Sequence, residues 1–342
     1  MAAPKSLAPP LIGHTTTEAD STIGQTVARC LVTRALPGAA LARLSERHEV
    51  EVWPGELPPE RDWLIEQVRE VEGLLCLLTD RIDAELIAAA KELRVISNFA
   101  VGCDNIDLAA ASERGIAVGR TPDVLTDATA DLTMALMLAV ARHLPAAEHH
   151  ARSGRWQTWE PTGWLGLELR GATLAIVGPG RIGKAVATRA QAFGMNVELV
   201  GRSTELISSL AGADVVSLHA PLTPATRHLI DAATLQAMRP GAILINTSRG
   251  GLIDQTALRT ALESGHLAGA GLDVTDPEPP APDDPLLSAP NLIVLPHIGS
   301  ATRKARAAMT QRSVEILLAG LNGEPLPYPQ PLAASQSQQS SR

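Results

Sequence analysis

Short apolar runs alternate with longer amphipathic segments along most of the chain. That is the pattern of strands and helices laid around parallel sheets. Five strands are predicted first, at Ala28–Thr33, Val50–Trp53, Leu74–Leu78, Arg94–Asn98 and Ile116–Val118. Helical segments such as Asp83–Lys91 separate them. A long helical stretch follows, Thr126 to about Gly154, with Asp127 and Asp131 favouring its N-terminal end through the helix dipole. A second series is predicted at Thr173–Val177, Val197–Val200, Asp214–Leu218, Ala242–Asn246, Gly269–Val274 and Leu292–Leu295. A last helix runs from about Arg303 to Leu318. Two sheet-forming halves imply two α/β domains. Residues 1–26, rich in Pro, Thr and Ala without periodicity, read as a flexible N-terminal extension. Residues 330–342, polar and of low complexity, read as a disordered tail.

Composition narrows the class. A length of 342 residues suits two cores better than one. With 45% hydrophobic and 19% charged residues, the chain is not mostly disordered. Aromatics are only 2%, so aliphatic side chains and alanine must fill the core, and a base-stacking nucleic-acid surface is disfavoured. A net charge of −8 has the wrong sign for a general phosphate-backbone binder. Cys30, Cys76 and Cys103 are far apart and include no CxxC pair, so neither a disulfide framework nor a metal site is expected. They read as small buried hydrophobes in a reducing compartment. The longest purely apolar run, Met134 to Ala141, is far shorter than the roughly 20 residues that span a bilayer. The expectation is a soluble cytoplasmic protein, with no nucleic-acid or membrane partner.

The most informative turn is Gly178-Pro-Gly-Arg-Ile-Gly183. It follows the apolar run Thr173–Val177 and opens a helix that ends near Phe193 and Gly194. This is GxGxxG between strand and helix. Gly178 permits the tight turn, Gly180 the approach of a pyrophosphate, and Gly183 close helix–strand packing. The free N–H groups of the helix terminus then face the phosphates. The next strand normally ends in an acidic residue that accepts from the adenosine ribose. Here it ends Val200-Gly201-Arg202-Ser203-Thr204, and neither Glu198 nor Glu205 stands at that position.

Taken together, several motifs resemble those of the D-isomer-specific 2-hydroxyacid dehydrogenases, with glyoxylate/hydroxypyruvate reductase as the branch most similar. They are Ala100-Val-Gly-Cys-Asp-Asn-Ile-Asp107, Pro122-Asp-Val-Leu-Thr-Asp-Ala-Thr-Ala-Asp131 and the glycine loop, then Asn246-Thr-Ser-Arg-Gly250, Gly271-Leu-Asp-Val274, Asp276-Pro-Glu-Pro279 and Pro296-His-Ile-Gly-Ser-Ala-Thr302. The resemblance runs from about Val27 to Pro329. It implies two doubly wound parallel-sheet domains, a Rossmann NAD(P)-binding domain inserted in a flavodoxin-like substrate domain. Residues 27–121 and 302–329 would form the substrate domain. Residues 122–301 would form the dinucleotide domain, with a dimerisation arm near 142–170.

Reducing a 2-oxo acid requires a carboxylate anchor, a proton donor and a hydride donor. The resemblance assigns substrate binding to Arg249, whose paired donors suit a carboxylate and carbonyl, and to the backbone N–H groups of Val101 and Gly102. It assigns acid/base work to His297, with Glu278 orienting the imidazole through its other nitrogen. Cofactor contacts are implied at Gly178, Gly180, Arg181, Ile182, Gly183, Arg202, Ser203, Thr204, Pro221, Thr247, Asp273 and Gly299, with Asp273 facing the nicotinamide amide. His219 is expected to pack beneath the cofactor, and His149 and His150 to be exposed. The Trp-rich connection Arg152–Trp164 is expected to pack on the second subunit of a homodimer.

Two features depart from the family. Cys103 stands where relatives commonly carry Tyr. A helix and an edge strand usually follow the position of Ser203, whereas Leu206–Leu210 leads here directly to the strand Asp214–Leu218. Missing a carboxylate after Val200, the site favours NADP(H), with NAD(H) second. Other family substrates, formate or phosphite, are rival readings, and Glu278 argues against formate because that branch usually has Gln there. A cofactor-sensing corepressor-like scaffold is the rival of a different class.

Overall fold

The computed structural model describes residues 27–331. The N-terminal extension expected at 1–26 and residues 332–342 of the expected tail lie outside them.

The first sheet has five parallel strands: β1 (Arg29–Val32), β2 (Glu49–Val52), β3 (Gly73–Cys76), β4 (Val95–Asn98) and β5 (Ala117–Gly119). Their order is β2-β1-β3-β4-β5, the flavodoxin-like arrangement. Helices α1 (Ala40–Ser45), α2 (Arg61–Gln67), α3 (Ala84–Ala89) and α4 (Leu108–Glu113) make the crossovers. The side chains of β3 and β4 are buried throughout, as a parallel sheet covered on both faces demands. The Asp83 and Asp107 side chains cap α3 and α4 by accepting from Leu86 and Ala110 N–H.

The chain crosses to the second sheet through α5 (Thr126–Ala141) and α6 (Leu144–Arg152). The single helical stretch expected from Thr126 to Gly154 is broken at His143, whose φ is 53°. Pro145 explains the break. A continuous helix would need the N–H of residue 145 to serve the carbonyl of Ala141, and proline has none. That carbonyl instead accepts the Leu167 N–H at 2.9 Å. Gly166 permits the approach, since a Cβ there would lie 2.1 Å from the same oxygen. Asp127 and Asp131, expected to serve the helix dipole, also tie α5 to the neighbouring helix by accepting from Arg189 at 2.9 and 2.6 Å.

The second sheet contains β6 (Thr173–Val177), β7 (Asn196–Val200), β8 (Val215–Leu218), β9 (Ala242–Asn246), β10 (Leu267–Leu272) and β11 (Leu292–Val294), in the order β11-β10-β9-β8-β6-β7 and all parallel. Helices α7 (Arg181–Ala192), α8 (Leu206–Ala211), α9 (Ala232–Ala237) and α10 (Gln255–Glu263) cover it. Helix α5 lays Met134, Met137 and Val140 against Leu174, Ile176 and Ile245. Strand β7 forms one edge; among the described residues nothing pairs on its outer side.

Helix α11 (Arg303–Leu321) returns to the first sheet, where Met309, Val314 and Leu317 pack with Cys30, Leu75 and Val95. The chain therefore leaves the first lobe, builds the second and comes back. Pro329 bridges Gly119, and the Gln330 N–H donates to Val118 O at 2.8 Å. Of the tail expected from residue 330, Gln330 is instead held at the edge of β5. All three cysteines are buried, as expected, and burial pushes the Cys30 thiol up to about 12. Among the described residues no helix is long and apolar enough to cross a membrane.

Leu317 is fully buried between α11 and the first sheet. Leu317→Ala should cost about 2–5 kcal/mol of stability, the usual effect of removing a buried leucine. Urea unfolding followed by far-UV circular dichroism measures it, and a loss under about 1 kcal/mol would contradict this role.

Candidate active site

The carboxyl ends of both sheets open on one cleft of about 660 Å³. Its walls combine the loop after β4, the start of α7, the loops after β8, β9, β10 and β11, and the first turns of α11. Loops at strand ends are where open α/β sheets hold their ligands.

The glycine loop forms one end of the cleft, and each glycine has a separate reason. Gly178 has φ 90°, and a Cβ there would sit 2.5 Å from Ala220 N. At Gly183 a Cβ would sit 2.7 Å from Gly178 O. At Gly180 a Cβ would meet nothing within 4 Å, so the space above it is open. Gly180 is the N-cap of α7, with no side chain capping the first-turn N–H groups. An open space facing uncapped N–H groups fits a pyrophosphate. Arg181 pairs with Asp123 at 2.7 Å, beside the linker that joins the lobes. Ile182, Pro221 and Thr247 line the cleft, and the Thr247 hydroxyl meets that of Thr133 at 2.9 Å.

Beyond β7 the chain turns sharply. The Gly201 N–H donates to Thr204 Oγ1 at 3.2 Å. Arg202, Ser203 and Thr204 are exposed and lie outside the cleft proper. Open space surrounds the Gly201 Cα. Glu198 accepts from the Ser209 hydroxyl and is tied to α8, away from the strand end. No carboxylate therefore occupies the end of β7. Helix α8 leads straight to β8, as the sequence predicts, with no further strand between β7 and β8 among the described residues.

At the other end, Arg249 follows β9. Asn246 fixes its backbone by accepting from Ser248 N–H and donating to Arg249 O, at 3.0 and 2.8 Å. The guanidinium crosses the cleft. Its Nε donates to both Asp104 oxygens at 3.0 Å, and Nη1 donates to Ser248 O at 2.8 Å. Nη2 lies against Gly102, where a Cβ would approach it to 2.4 Å. Neither Val101 N–H nor Gly102 N–H has a hydrogen-bond partner among the described residues. Free donors thus converge from both lobes.

His297 follows β11 with φ 51°. Its Nδ1 meets Glu278 Oε1 at 2.5 Å, and both side chains are partly buried. The ring lines the cleft with its other nitrogen unclaimed among the described residues. Asp273, expected to face a carboxamide, lines the cleft and also holds a turn. Its two oxygens accept Ile298 N–H and Gly299 N–H, both at 2.7 Å, and its backbone carbonyl accepts the His297 N–H at 3.0 Å. It therefore holds the turn that presents the imidazole. Burial pushes its pKa up, opposed by those N–H donors and by His297.

The remaining histidines divide. His219 lines the cleft, with Nε2 against Ser217 Oγ at 2.8 Å, and desolvation pushes its pKa down to about 4. It is a neutral ring beside the glycine loop, as its expected packing role requires. His149 is exposed, but His150 is half-buried edge-on to Trp164, 5.3 Å between ring centroids.

Asp104, Arg120 and Arg306 also line the cleft, and none had a role assigned from sequence. Asp104 lay inside the Ala100–Asp107 motif. Arg120 lies beside the Val101 carbonyl. Arg306 stands in the first turns of α11, nine residues after His297, with its guanidinium 5.9 Å from the Phe99 ring centre. Burial lowers the Arg306 pKa, and Asp273 opposes that.

A family model described as D-isomer specific 2-hydroxyacid dehydrogenase, NAD binding domain, matches residues 134–299. The chain is 44% identical over 310 residues to the glyoxylate reductase of Korarchaeum cryptofilum, spanning 86% of this chain and 93% of that relative. Among solved structures, a Thermus thermophilus protein is similar with a TM-score of 0.84 and 53% identity, over 88% of this chain and 99% of its own. The NADPH-dependent glyoxylate/hydroxypyruvate reductase of Sinorhizobium meliloti, solved with NADP and malonate, is similar with a TM-score of 0.78 and 34% identity, over 89% and 96%. Sequence and fold agree over nearly the whole length, across both lobes of the cleft, and the chain belongs to the D-isomer specific 2-hydroxyacid dehydrogenase family.

Proposed function

We propose that this dehydrogenase reduces glyoxylate and hydroxypyruvate to their 2-hydroxy acids, with NADPH preferred to NADH. The observation that carries the reading is the meeting, in one cleft, of the Glu278–His297 pair with Arg249 and the free N–H groups of Val101 and Gly102. Relatives bearing the name glyoxylate reductase support the substrate.

In this reading residues 122–301 hold the dinucleotide, which supplies a hydride when bound. Gly178, Gly180, Arg181, Ile182 and Gly183 cradle its phosphates, while Pro221, Thr247, Asp273 and Gly299 border the nicotinamide end. The substrate carboxylate accepts from Val101 and Gly102 N–H and from the Arg249 guanidinium. Arg249 also draws electron density from the carbonyl oxygen as charge develops there. The protonated imidazole of His297 gives its proton to that oxygen as C2 receives the hydride. Glu278 fixes the ring so that the free nitrogen points into the cleft.

His297→Ala should lower turnover by roughly 10²–10⁴, the worth of a positioned acid, and Arg249→Ala should damage substrate use most. Initial rates with glyoxylate and each nicotinamide cofactor test both. Near-normal rates in the His297 variant would remove it from the mechanism. Reduction consumes a proton and should decline as pH rises, while oxidation releases one and should improve. A reductive profile flat from about pH 5 to 10 would count against proton donation by His297.

The cofactor preference rests on the empty end of β7. With no carboxylate there, nothing repels a 2′-phosphate, while Arg202 can pair with it and Ser203 and Thr204 can donate to it. A charge-assisted contact is worth roughly 1.5–3 kcal/mol, or about one to two decades of preference. The ratio of kcat/KM for NADPH to that for NADH should exceed one and should fall in Arg202→Ala and Gly201→Asp. A wild-type ratio below one, or no change in either variant, contradicts the assignment.

A homodimer completes the reading. Trp156, Trp159 and Leu165 expose 68, 79 and 72% of their surface in the single chain, too much apolar surface to leave wet on one arm. Light scattering at micromolar concentration should return twice the chain mass, and a monomer mass would refute this.

A further inference from the structure

Asp104 is the one acidic side chain that reaches the Arg249 guanidinium among the described residues. The two belong to different lobes. Asp104 sits in the loop after β4 and Arg249 in the loop after β9, 145 residues apart in sequence. The contact is made at Nε, through both carboxylate oxygens at equal distance. Nη1 is held separately by the Ser248 carbonyl. With these two nitrogens fixed, Nη2 is left against Gly102, beside the two unpartnered backbone N–H groups.

An arginine side chain has several rotatable bonds and loses much freedom when ordered. A guanidinium fixed only by its own backbone neighbour could still swing about its last bonds. The Asp104 carboxylate removes that freedom by holding the inner nitrogen and leaving an outer one for the ligand. It also keeps local charge balanced, since Arg249 and Asp104 neutralise each other across the cleft. Because the pair spans the lobes, aiming the guanidinium and closing the lobes are one event.

We propose that Asp104 is a positioning residue for the reaction: its carboxylate fixes Arg249 by Nε, so that the outer nitrogen meets the substrate anion only when the two lobes are together. The proposal rests on the substrate-binding role given to Arg249 above.

The test is a double-mutant cycle on the full-length enzyme, with glyoxylate and NADPH. Asp104→Ala should lower kcat/KM for glyoxylate about 10- to 100-fold while leaving the KM for NADPH within about twofold. Asp104→Asn should restore much of the loss, because its amide oxygen still accepts from Nε. In an Arg249→Lys background Asp104→Ala should have almost no further effect. If Asp104→Ala does not fold, Asp104→Ser, too short to reach Nε, takes its place in the cycle. Equal losses in the wild-type and Arg249→Lys backgrounds would overturn the proposal, as would a KM for NADPH that rises with that for glyoxylate. Full activity of Arg249→Ala would refute the substrate role itself. A crippled Arg249→Ala beside an unaffected Asp104→Ala would refute only the positioning role.

Discussion

Parallel pairing is the constraint on which the rest of the molecule depends. A parallel strand cannot return to its neighbour through a tight turn, so every strand is followed by a crossover. All carboxyl ends in a sheet therefore face one way. Here this happens twice, and the two sets of ends face each other across one cleft. The glycine loop, Arg249, Asp273 and His297 come from four different strand ends of the second sheet. Val101, Gly102 and Asp104 come from one strand end of the first. No local sequence could assemble such a set. It is produced by topology, and by the return of α11 to the first sheet, which leaves each lobe anchored at two points of the chain.

Within the cleft, burial competes with hydrogen bonding at Asp273. Two backbone N–H donors and the charge of His297 favour its ionised form, yet desolvation wins and its pKa lies above the ordinary carboxylate value. The sign of the consequence follows. A carboxylate whose folded pKa is raised weakens the fold as pH climbs above its unfolded pKa, because the native state must then keep a costly charge. A raised pKa therefore makes Asp273 a liability for stability at pH values above the ordinary carboxylate range. What it secures is local: the His297 turn, in the left-handed backbone region, is pinned at three successive N–H groups. Functional sites commonly retain such costs.

Much of this was legible in the sequence. Strand periodicity located all eleven strands within a few residues, and the GxGxxG spacing located the start of α7, because both are local patterns. The helix break at His143 was less legible. Pro145 gave the signal, but the compensation that makes the break stable, the Leu167 N–H on the Ala141 carbonyl, lies 26 residues away. The Arg249–Asp104 pair was invisible for a stronger reason. Nothing in either motif says which residue of the other lobe it meets, since that depends on how two sheets face each other. Arg306 was missed because an arginine near a helix start is ordinarily a solvated charge, and only its burial over Phe99, within reach of the Asp273 charge, distinguishes it.

The open edge at β7 bears on two properties together. The next segment is the short α8, so the sheet ends on the strand whose tip the proposed reading sets beside the adenosine. An edge strand has backbone groups open to solvent and no neighbour to shape the loop at its end. The Gly201–Thr204 turn is accordingly exposed, closed only on itself by the Thr204 hydroxyl. Discrimination there cannot come from an enclosed pocket. Under the proposed NADPH preference it would come from charge, and Arg202 carries the one positive charge in that turn. The pyrophosphate end is the opposite case: Gly178 and Gly183 admit no Cβ without moving backbone, so its shape is fixed before any ligand arrives. In the proposed reading the cofactor site is thus rigid where its contacts are common to both nicotinamide dinucleotides. It is open where the two differ, which makes the 2′ position the part of the site most readily changed by substitution.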